Sequence, residues 1–259
     1  MTLVSRPLVS IIMNCFNCQS FLKEAIESVY AQTYDRWEII LWDNASTDRS
    51  SNIIKLFDDK IKYFRSNKTV PLYEARNMAL EVCCGEVVAF LDCDDVWMFD
   101  KLEKQIQLYL SGARIVYGAF ELIDADGGRI EAKLPKVRSG KITNNLLLRN
   151  MVSIGSVLID KNFIVSHKFD PKFNLLGDFE LWIRLSLLEE FYCVKGTVEL
   201  SRHHQNNFSK TCKNDWIIEE RYLYKRLLKI KSAIRLPVLV FFIIKCEFKN
   251  ILMYARRIL

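Results

Sequence analysis

Three almost wholly apolar runs, each closing on a polar or acidic residue, constrain this chain more than any other feature. Leu8-Val9-Ser10-Ile11-Ile12-Met13 runs into Asn14, Trp37-Glu38-Ile39-Ile40-Leu41-Trp42 into Asp43, and Glu86-Val87-Val88-Ala89-Phe90-Leu91 into Asp92. Runs of this length without polar alternation read as strands buried on both faces. Helical spacing fills the gaps. Phe21, Leu22, Ala25, Ile26 and Val29 share one face of a predicted helix from Ser20 to Gln32. Asp48 is placed to cap a helix carrying Ile53, Ile54 and Phe57, and Pro71 opens one that reaches Val82. Ile61 to Arg65 is a further short strand. Strand–helix–strand repetition predicts an α/β fold with right-handed crossovers. Its sheet is mostly parallel and Rossmann-like, flanked by helices, and binds ligands beyond the carboxyl ends of its strands.

The second half is less regular. Arg114 to Leu122, Ser156 to Asp160 and Phe191 to Leu200 read as strands, Phe179 to Leu188 as a helix, and Asp124-Ala125-Asp126-Gly127-Gly128 as a turn. No low-complexity linker separates the halves, so one continuous α/β body is expected. With 50% hydrophobic and 26% charged residues, the composition excludes disorder, collagen-like repeats and multi-span membrane architecture.

The net charge of +6 is unevenly spread: residues 202–259 hold 13 Lys and Arg against 4 Asp and Glu. Nucleic-acid binding would need those cations interleaved with stacking aromatics on a platform, so nucleic acid is not an expected partner. From Asn214 the pattern is helical to the end, giving a C-terminal helical tail. Its apolar stretch Leu236–Ile244 falls short of the roughly 20 residues that span a bilayer. Lys225, Arg226, Lys229, Lys231 and Arg235 flank it on one side, and Lys245, Lys249, Arg256 and Arg257 on the other. Two readings fit: a helix lying on an anionic membrane surface, or a last helix packed on the domain. Met1 to Pro7 carries no apolar export signal, so the expected location is cytoplasmic, at the inner membrane face, with reduced thiols. Cys15-x-x-Cys18 has zinc spacing but no second Cys/His pair close by in sequence, and the adjacent Cys83-Cys84 make a poor chelate.

Carboxylates collect where the strands end. In extended backbone Asp92 and Asp94 point to the same side while Asp95 turns away. Two like charges on one side need a cation or hydrogen bonds, and hard divalent ions, Mg²⁺ or Mn²⁺, suit carboxylates together with substrate phosphates. The plainer alternative is a capped helix start leading into Lys101-Leu102.

Taken in order, the motifs become specific. Val9-Ser10-Ile11-Ile12 through Asn17, Phe21 to Val29, Gln32-Thr33-Tyr34, Glu38 to Asp48, Ala75-Arg76-Asn77, Phe90 to Asp95, Gly177 to Leu185 and Arg202 to Ser209 together resemble the inverting glycosyltransferases of the GT-A fold, the large family that includes bacterial cell-surface polysaccharide synthases. The resemblance covers about residues 7–210. It implies a nucleotide-sugar-binding half (1–112), an acceptor-binding half of the same domain (113–212) and a basic amphipathic helical tail (213–259). It implies a metal-dependent enzyme moving a sugar from a UDP-linked donor to a glycan or lipid-linked glycan hydroxyl. By position, Asn14, Phe16, Asn17, Asp43, Asn44, Arg76, Asp92 and Cys93 border the donor, with Asp43 and Asn44 on the base. Asp94 and His204 hold the metal, and Asp178 is the base that deprotonates the acceptor. Gly177, where relatives commonly carry Glu, and Trp182 mark the acceptor side.

Each assignment has a structural counterpart. Asp178 is also placed to cap a helix, Phe16 to pack in the core, and Trp182 to lie within it. A nucleotidyltransferase would show a Gly-rich, cationic phosphate loop after the first strand, which Asn14-Cys15-Phe16-Asn17-Cys18 is not. A catalytically silent sugar-nucleotide binder would have no need to keep Asp92, Asp94 and Asp178 together.

Overall fold

The computed structural model describes residues 6–205, 207, 208, 213–229 and 234–258. Met1 to Ser5, Asn206, Ser209, Cys212 and Lys231, with the side chains of Lys249, Arg256 and Arg257, lie outside the described residues. The strands are β1 (Val9–Cys15), β2 (Trp37–Asp43), β3 (Ile61–Arg65), β4 (Val87–Phe90), β5 (Val96–Trp97), β6 (Ile115–Ile123), β7 (Arg129–Ile130), β8 (Leu158–Asp160) and β9 (Tyr192–Arg202). The helices are α1 (Leu22–Tyr30), α2 (Ser50–Ile54), α3 (Leu72–Glu81), α4 (Lys101–Leu110), α5 (Thr143–Leu148), α6 (Lys161–His167), α7 (Gly177–Ser186), α8 (Lys213–Lys229) and α9 (Leu236–Ile258).

Among the described residues these strands form one nine-stranded sheet, ordered β3-β2-β1-β4-β8-β6-β9-β5 with β7 on β6. The β3-β2-β1-β4 half is parallel, as is β6 with β9, while β8 enters antiparallel between β4 and β6. The apolar runs lack alternation because each strand feeds two cores. Ile11, Met13, Ile39, Leu41 and Ala89 pack with Leu22 and Ile26 of α1 on one face. Ile12, Ile40, Val88 and Phe90 pack with Tyr73 of α3 and Trp182 of α7 on the other. The two polar interruptions satisfy each other across the β1–β2 register, Ser10 Oγ donating to Glu38 at 2.6 Å. Gly85 lets β4 start beside them, since a Cβ there would sit 2.4 Å from the Leu8 carbonyl.

Most expected elements stand within a residue or two of their predicted limits. The segment after Asp48 differs: the helix is only Ser50–Ile54, and Asp48 instead accepts from the Ser50 and Gln19 N–H groups, pinning two loops together. Asp178 is not a helix cap either, because α7 begins one residue earlier, at Gly177.

The helical tail is made of two helices, and both join the body. Leu223 and Leu227 of α8, and Leu239, Phe242 and Cys246 of α9, belong to the larger core. Glu219 of α8 is buried and accepts the backbone N–H groups of Asn174, Leu175 and Leu176 at 2.6–3.2 Å. One carboxylate thus satisfies the donors of the segment that leads into α7, where no cap side chain does so. Removing it strands the buried Leu176 donor, at about 1–3 kcal/mol, and leaves the part-buried Asn174 and Leu175 donors to solvent. Glu219→Ala should therefore lower unfolding stability by about 2–4 kcal/mol, read as a shifted denaturant midpoint at unchanged slope.

Candidate active site at the carboxyl ends of the strands

The turn after β4 carries the carboxylates, and β9 delivers the groups that shape it. Arg202, at the end of β9, is buried over the Phe21 ring. Its N–H donates to Asp95 at 2.7 Å, its Nε to the Asp94 carbonyl at 2.8 Å, and its Nη2 to Glu24 at 2.7 Å. This pins Asp94 opposite the residues that follow Arg202. His204 Nε2 lies 3.0 Å from Asp94 Oδ2, and the Asn207 amide donates to the same oxygen at 3.1 Å. Burial, reinforced by the charge on Asp92, raises the Asp94 pKa, although His204 opposes the shift. Asp95 is pushed up further by burial and by the buried Glu199.

A second connection joins this turn to α7. Arg76 of α3 is buried and donates to Asp92 Oδ1 at 2.6 Å, while its guanidinium lies 5.1 Å from the centre of the Tyr73 ring. Tyr73, one helical turn earlier, donates its hydroxyl to Asp178 Oδ1 at 3.0 Å, and the Phe179 N–H donates to that oxygen at 2.7 Å. Asp92, Arg76, Tyr73 and Asp178 are therefore contiguous, and the three aspartates singled out in the sequence converge. Burial raises the Asp178 pKa; Arg76, the Phe179 N–H and Tyr73 offset part of that shift.

The sequence-expected residues fall into two groups. Asp92, Asp94, His204 and Asp178 come together as expected, and Phe16, 51% exposed, stands clear at the end of β1. The others are placed differently. Arg76 lies beneath the site, paired with Asp92, and does not stand at its mouth. Asp43 is fully covered: it accepts from the Ser46 N–H at 2.7 Å, Tyr63 at 2.6 Å and Arg65 at 2.7 Å. Burial pushes its carboxyl up, but these donors outweigh it and hold the pKa below the usual carboxylate range. The side-chain amide of Asn44 is taken up by both backbone groups of Val70, at 2.8 and 3.0 Å. Asn17, in left-handed backbone with φ 53°, gives its side-chain oxygen to the Thr47 and Asp48 N–H groups. These two side chains fix loops. Among the described residues the buried side-chain amide of Asn14 has no hydrogen-bond partner.

Three placements correct the expectation more sharply. The Cys93 thiol turns away from the carboxylates and donates to the Asn14 carbonyl at 3.3 Å. Trp182 is 0% exposed and packs edge-on against Phe191, so its ring is core and not acceptor surface. Gly177 is buried against Tyr73, whose ring a Cβ would approach to 2.5 Å; its place is to let Tyr73 reach Asp178. Sequence reasoning missed Tyr63, Arg65, Tyr73 and Asn207. Only Asn207 had a signal, inside the Arg202-to-Ser209 motif.

A parallel sheet that gathers carboxylates, a histidine and a buried arginine at its strand ends, and continues into an antiparallel half, is the ground plan of the GT-A glycosyltransferases. Comparison with known proteins agrees. Residues 10–169 match the model of glycosyl transferase family 2. The chain belongs to that family and is a glycosyltransferase. It is 32% identical over 235 residues, 86% of this chain and 89% of the relative, to the Escherichia coli UDP-Glc:alpha-D-GlcNAc-diphosphoundecaprenol beta-1,3-glucosyltransferase WfgD. It is 28% identical, over 87% of this chain and 90% of the relative, to the putative teichuronic acid biosynthesis glycosyltransferase TuaG of Bacillus subtilis. In fold it is similar to S. aureus TarS 1-349 in complex with UDP-GlcNAc, with a TM-score of 0.71 at 15% identity. That match covers 85% of this chain and 66% of the solved one.

The Tyr73 hydrogen bond stabilises the ionised form of Asp178. Tyr73→Phe removes it and should move the Asp178 titration to higher pH, followed by carboxyl-labelled NMR; an unmoved titration would show the contact to be energetically silent.

Proposed function

We propose that this chain transfers a sugar, with inversion, from a nucleoside-diphosphate donor, UDP-linked, to a hydroxyl of a lipid-linked glycan during cell-surface polysaccharide assembly. The observation that carries this reading is the contiguity of Asp94, Asp92, Arg76, Tyr73 and Asp178 at the strand ends. Relatives support the substrate class: WfgD is named for a UDP-glucose donor and a diphosphoundecaprenol-linked acceptor, and the TarS structure is a complex with UDP-GlcNAc. The nucleotidyltransferase and silent-binder alternatives have no observation in their favour.

Asp178 is the general base. Tyr73 and the Phe179 N–H both occupy Oδ1, which leaves Oδ2 to take the proton from an acceptor hydroxyl. Burial raises the pKa and so brings the carboxylate closer in basicity to a hydroxyl losing its proton in the transition state. Activity should therefore fall as pH drops through the Asp178 pKa, and in Tyr73→Phe that fall should begin at higher pH. The charge on Arg76 favours the ionised form of Asp178. Phe16 offers an exposed ring for the base, and Tyr63 and Arg65, half-exposed above Asp43, border the same end of the sheet.

A hard divalent cation fits the residues present. Asp92 and Asp94 crowd negative charge, burial and then the Asp92 charge raise the Asp94 pKa, and the donor set is oxygen with one imidazole nitrogen. Asp94 and His204 would hold Mg²⁺ or Mn²⁺, which when bound supplies electrostatic stabilisation for the departing diphosphate. A donor-hydrolysis screen across nucleotide sugars, with Mn²⁺ and with chelator, tests the reading. One UDP-sugar should turn over, and only with the metal. Asp178→Asn should lower transfer to acceptor by about 10²–10⁴-fold with UDP affinity unchanged by calorimetry. Full transfer by that variant would remove the base.

The tail is proposed to rest on an anionic membrane at the cytoplasmic face. Among the described residues no helix is long and apolar enough to cross one. One face of α9 packs in the core, but Leu236, Val240, Phe241 and Ile244 stand out on the other, the last at 62% exposure. Exposed Lys225, Lys229, Arg235 and Lys245 surround them. Because α9 also serves the core, deletion is a poor test. Phe241→Ser with Ile244→Ser leaves the packed face intact and should release the protein from anionic liposomes; equal sedimentation would refute the contact.

A further inference from the structure

Beside the carboxylate site, and unused by it, three thiols meet. Cys15 ends β1, Cys18 lies in the loop that follows, and Cys93 sits between Asp92 and Asp94; their sulfurs lie within 4.8 Å of one another. Cys15 and Cys93 are buried, and Cys18 is half-buried at the open side. The sequence offered only the Cys15-x-x-Cys18 pair. The parallel pairing of β1 with β4 supplies the third sulfur, because it brings the loop after β4 alongside the end of β1.

The arrangement has the properties of a ligand set. Tetrahedral zinc with Zn–S bonds of about 2.3 Å places its sulfurs about 3.8 Å apart, so small side-chain rotations bring all three into range. A disulfide would use two sulfurs and strand the third, whereas a metal ion uses every one. Asn17 holds the Cys-x-x-Cys loop through its left-handed backbone and its hydrogen bond to Thr47, so the bite of Cys15 and Cys18 is preformed. Ser46 Oγ, 3.7 Å from the Cys15 sulfur, offers a neighbouring oxygen, and the open side of Cys18 admits a water. Soft thiolates select zinc-like ions and carboxylates select Mg²⁺ or Mn²⁺, so the two neighbouring sites do not compete for one ion.

We propose that Cys15, Cys18 and Cys93 form a binding site for one thiophilic metal ion of the zinc class, tying the end of β1 to the Asp92–Asp94 turn. Binding replaces the thiol protons, which pass to solvent, and involves no change of oxidation state.

The full chain, reduced with a phosphine and stripped with chelator, is titrated with Cd²⁺ in the absence of nucleotide. The expected result is a sulfur-to-metal charge-transfer band that saturates at one ion per chain, is abolished by Zn²⁺ and is indifferent to excess Mg²⁺. Cys18→Ser and Cys93→Ser should each weaken binding by at least about tenfold. Cys84→Ser, an exposed thiol elsewhere, should not. Near-ultraviolet circular dichroism of the stripped variants separates lost ligation from lost folding, and Cys18, being half-buried, is the variant least exposed to that confusion. Bound Cd²⁺ should also protect Cys18 from alkylation. Absence of the band at one equivalent, or an unchanged band in Cys18→Ser, overturns the proposal. No donor or acceptor is present, so neither outcome bears on the glycosyltransferase reading.

Discussion

The site depends on one buried cation. Arg76 is almost removed from water, and it is tolerable there because Asp92 lies 2.6 Å from it and Asp178 stands beyond Tyr73. The dependence runs both ways. Without the guanidinium, Asp178 would lose the favourable charge that offsets part of its burial. The pair therefore does more than hold α3 against the turn after β4. Arg76 offsets part of the burial that raises the Asp178 pKa, and through Asp92 and Tyr73 the turn after β4 is connected to the start of α7.

Much of this was legible in the sequence, for identifiable reasons. The central strands could be read because they are buried on both faces and so show uninterrupted apolar runs, and the ends of those runs marked the site. Asp92, Asp94 and Asp178 could be singled out because they stand in motifs whose order is informative even where each alone is not. What could not be read were the partners. Arg76 was expected beside the donor and pairs with Asp92; Asn44 was expected at the base and Asn17 beside the donor, and they spend their amides on Val70 and Thr47. A polar side chain beside a ligand and one that stitches a loop have the same sequence signature. Only the three-dimensional count of donors and acceptors separates them.

Distance along the chain hid the rest. Glu219 looked like an ordinary charge in a basic tail, yet it accepts three backbone N–H groups ahead of α7. Trp182 was read both as core and as acceptor surface, and the packing against Phe191 decides for the core. Cys93 was visible as the middle of Asp92-Cys93-Asp94, but nothing local indicates that its sulfur faces Cys15.

The two-sided character of α9 has a consequence for how this protein can vary. Leu239, Phe242 and Cys246 are answerable to the interior and cannot be exchanged without disturbing the scaffold that seats α7. Leu236, Val240, Phe241 and Ile244 are exposed on the other side of the helix. If the outer stripe meets a membrane as proposed, substitution along it retunes that contact while the geometry at the strand ends stays as it is, so anchorage and chemistry are free to diverge separately within a single helix.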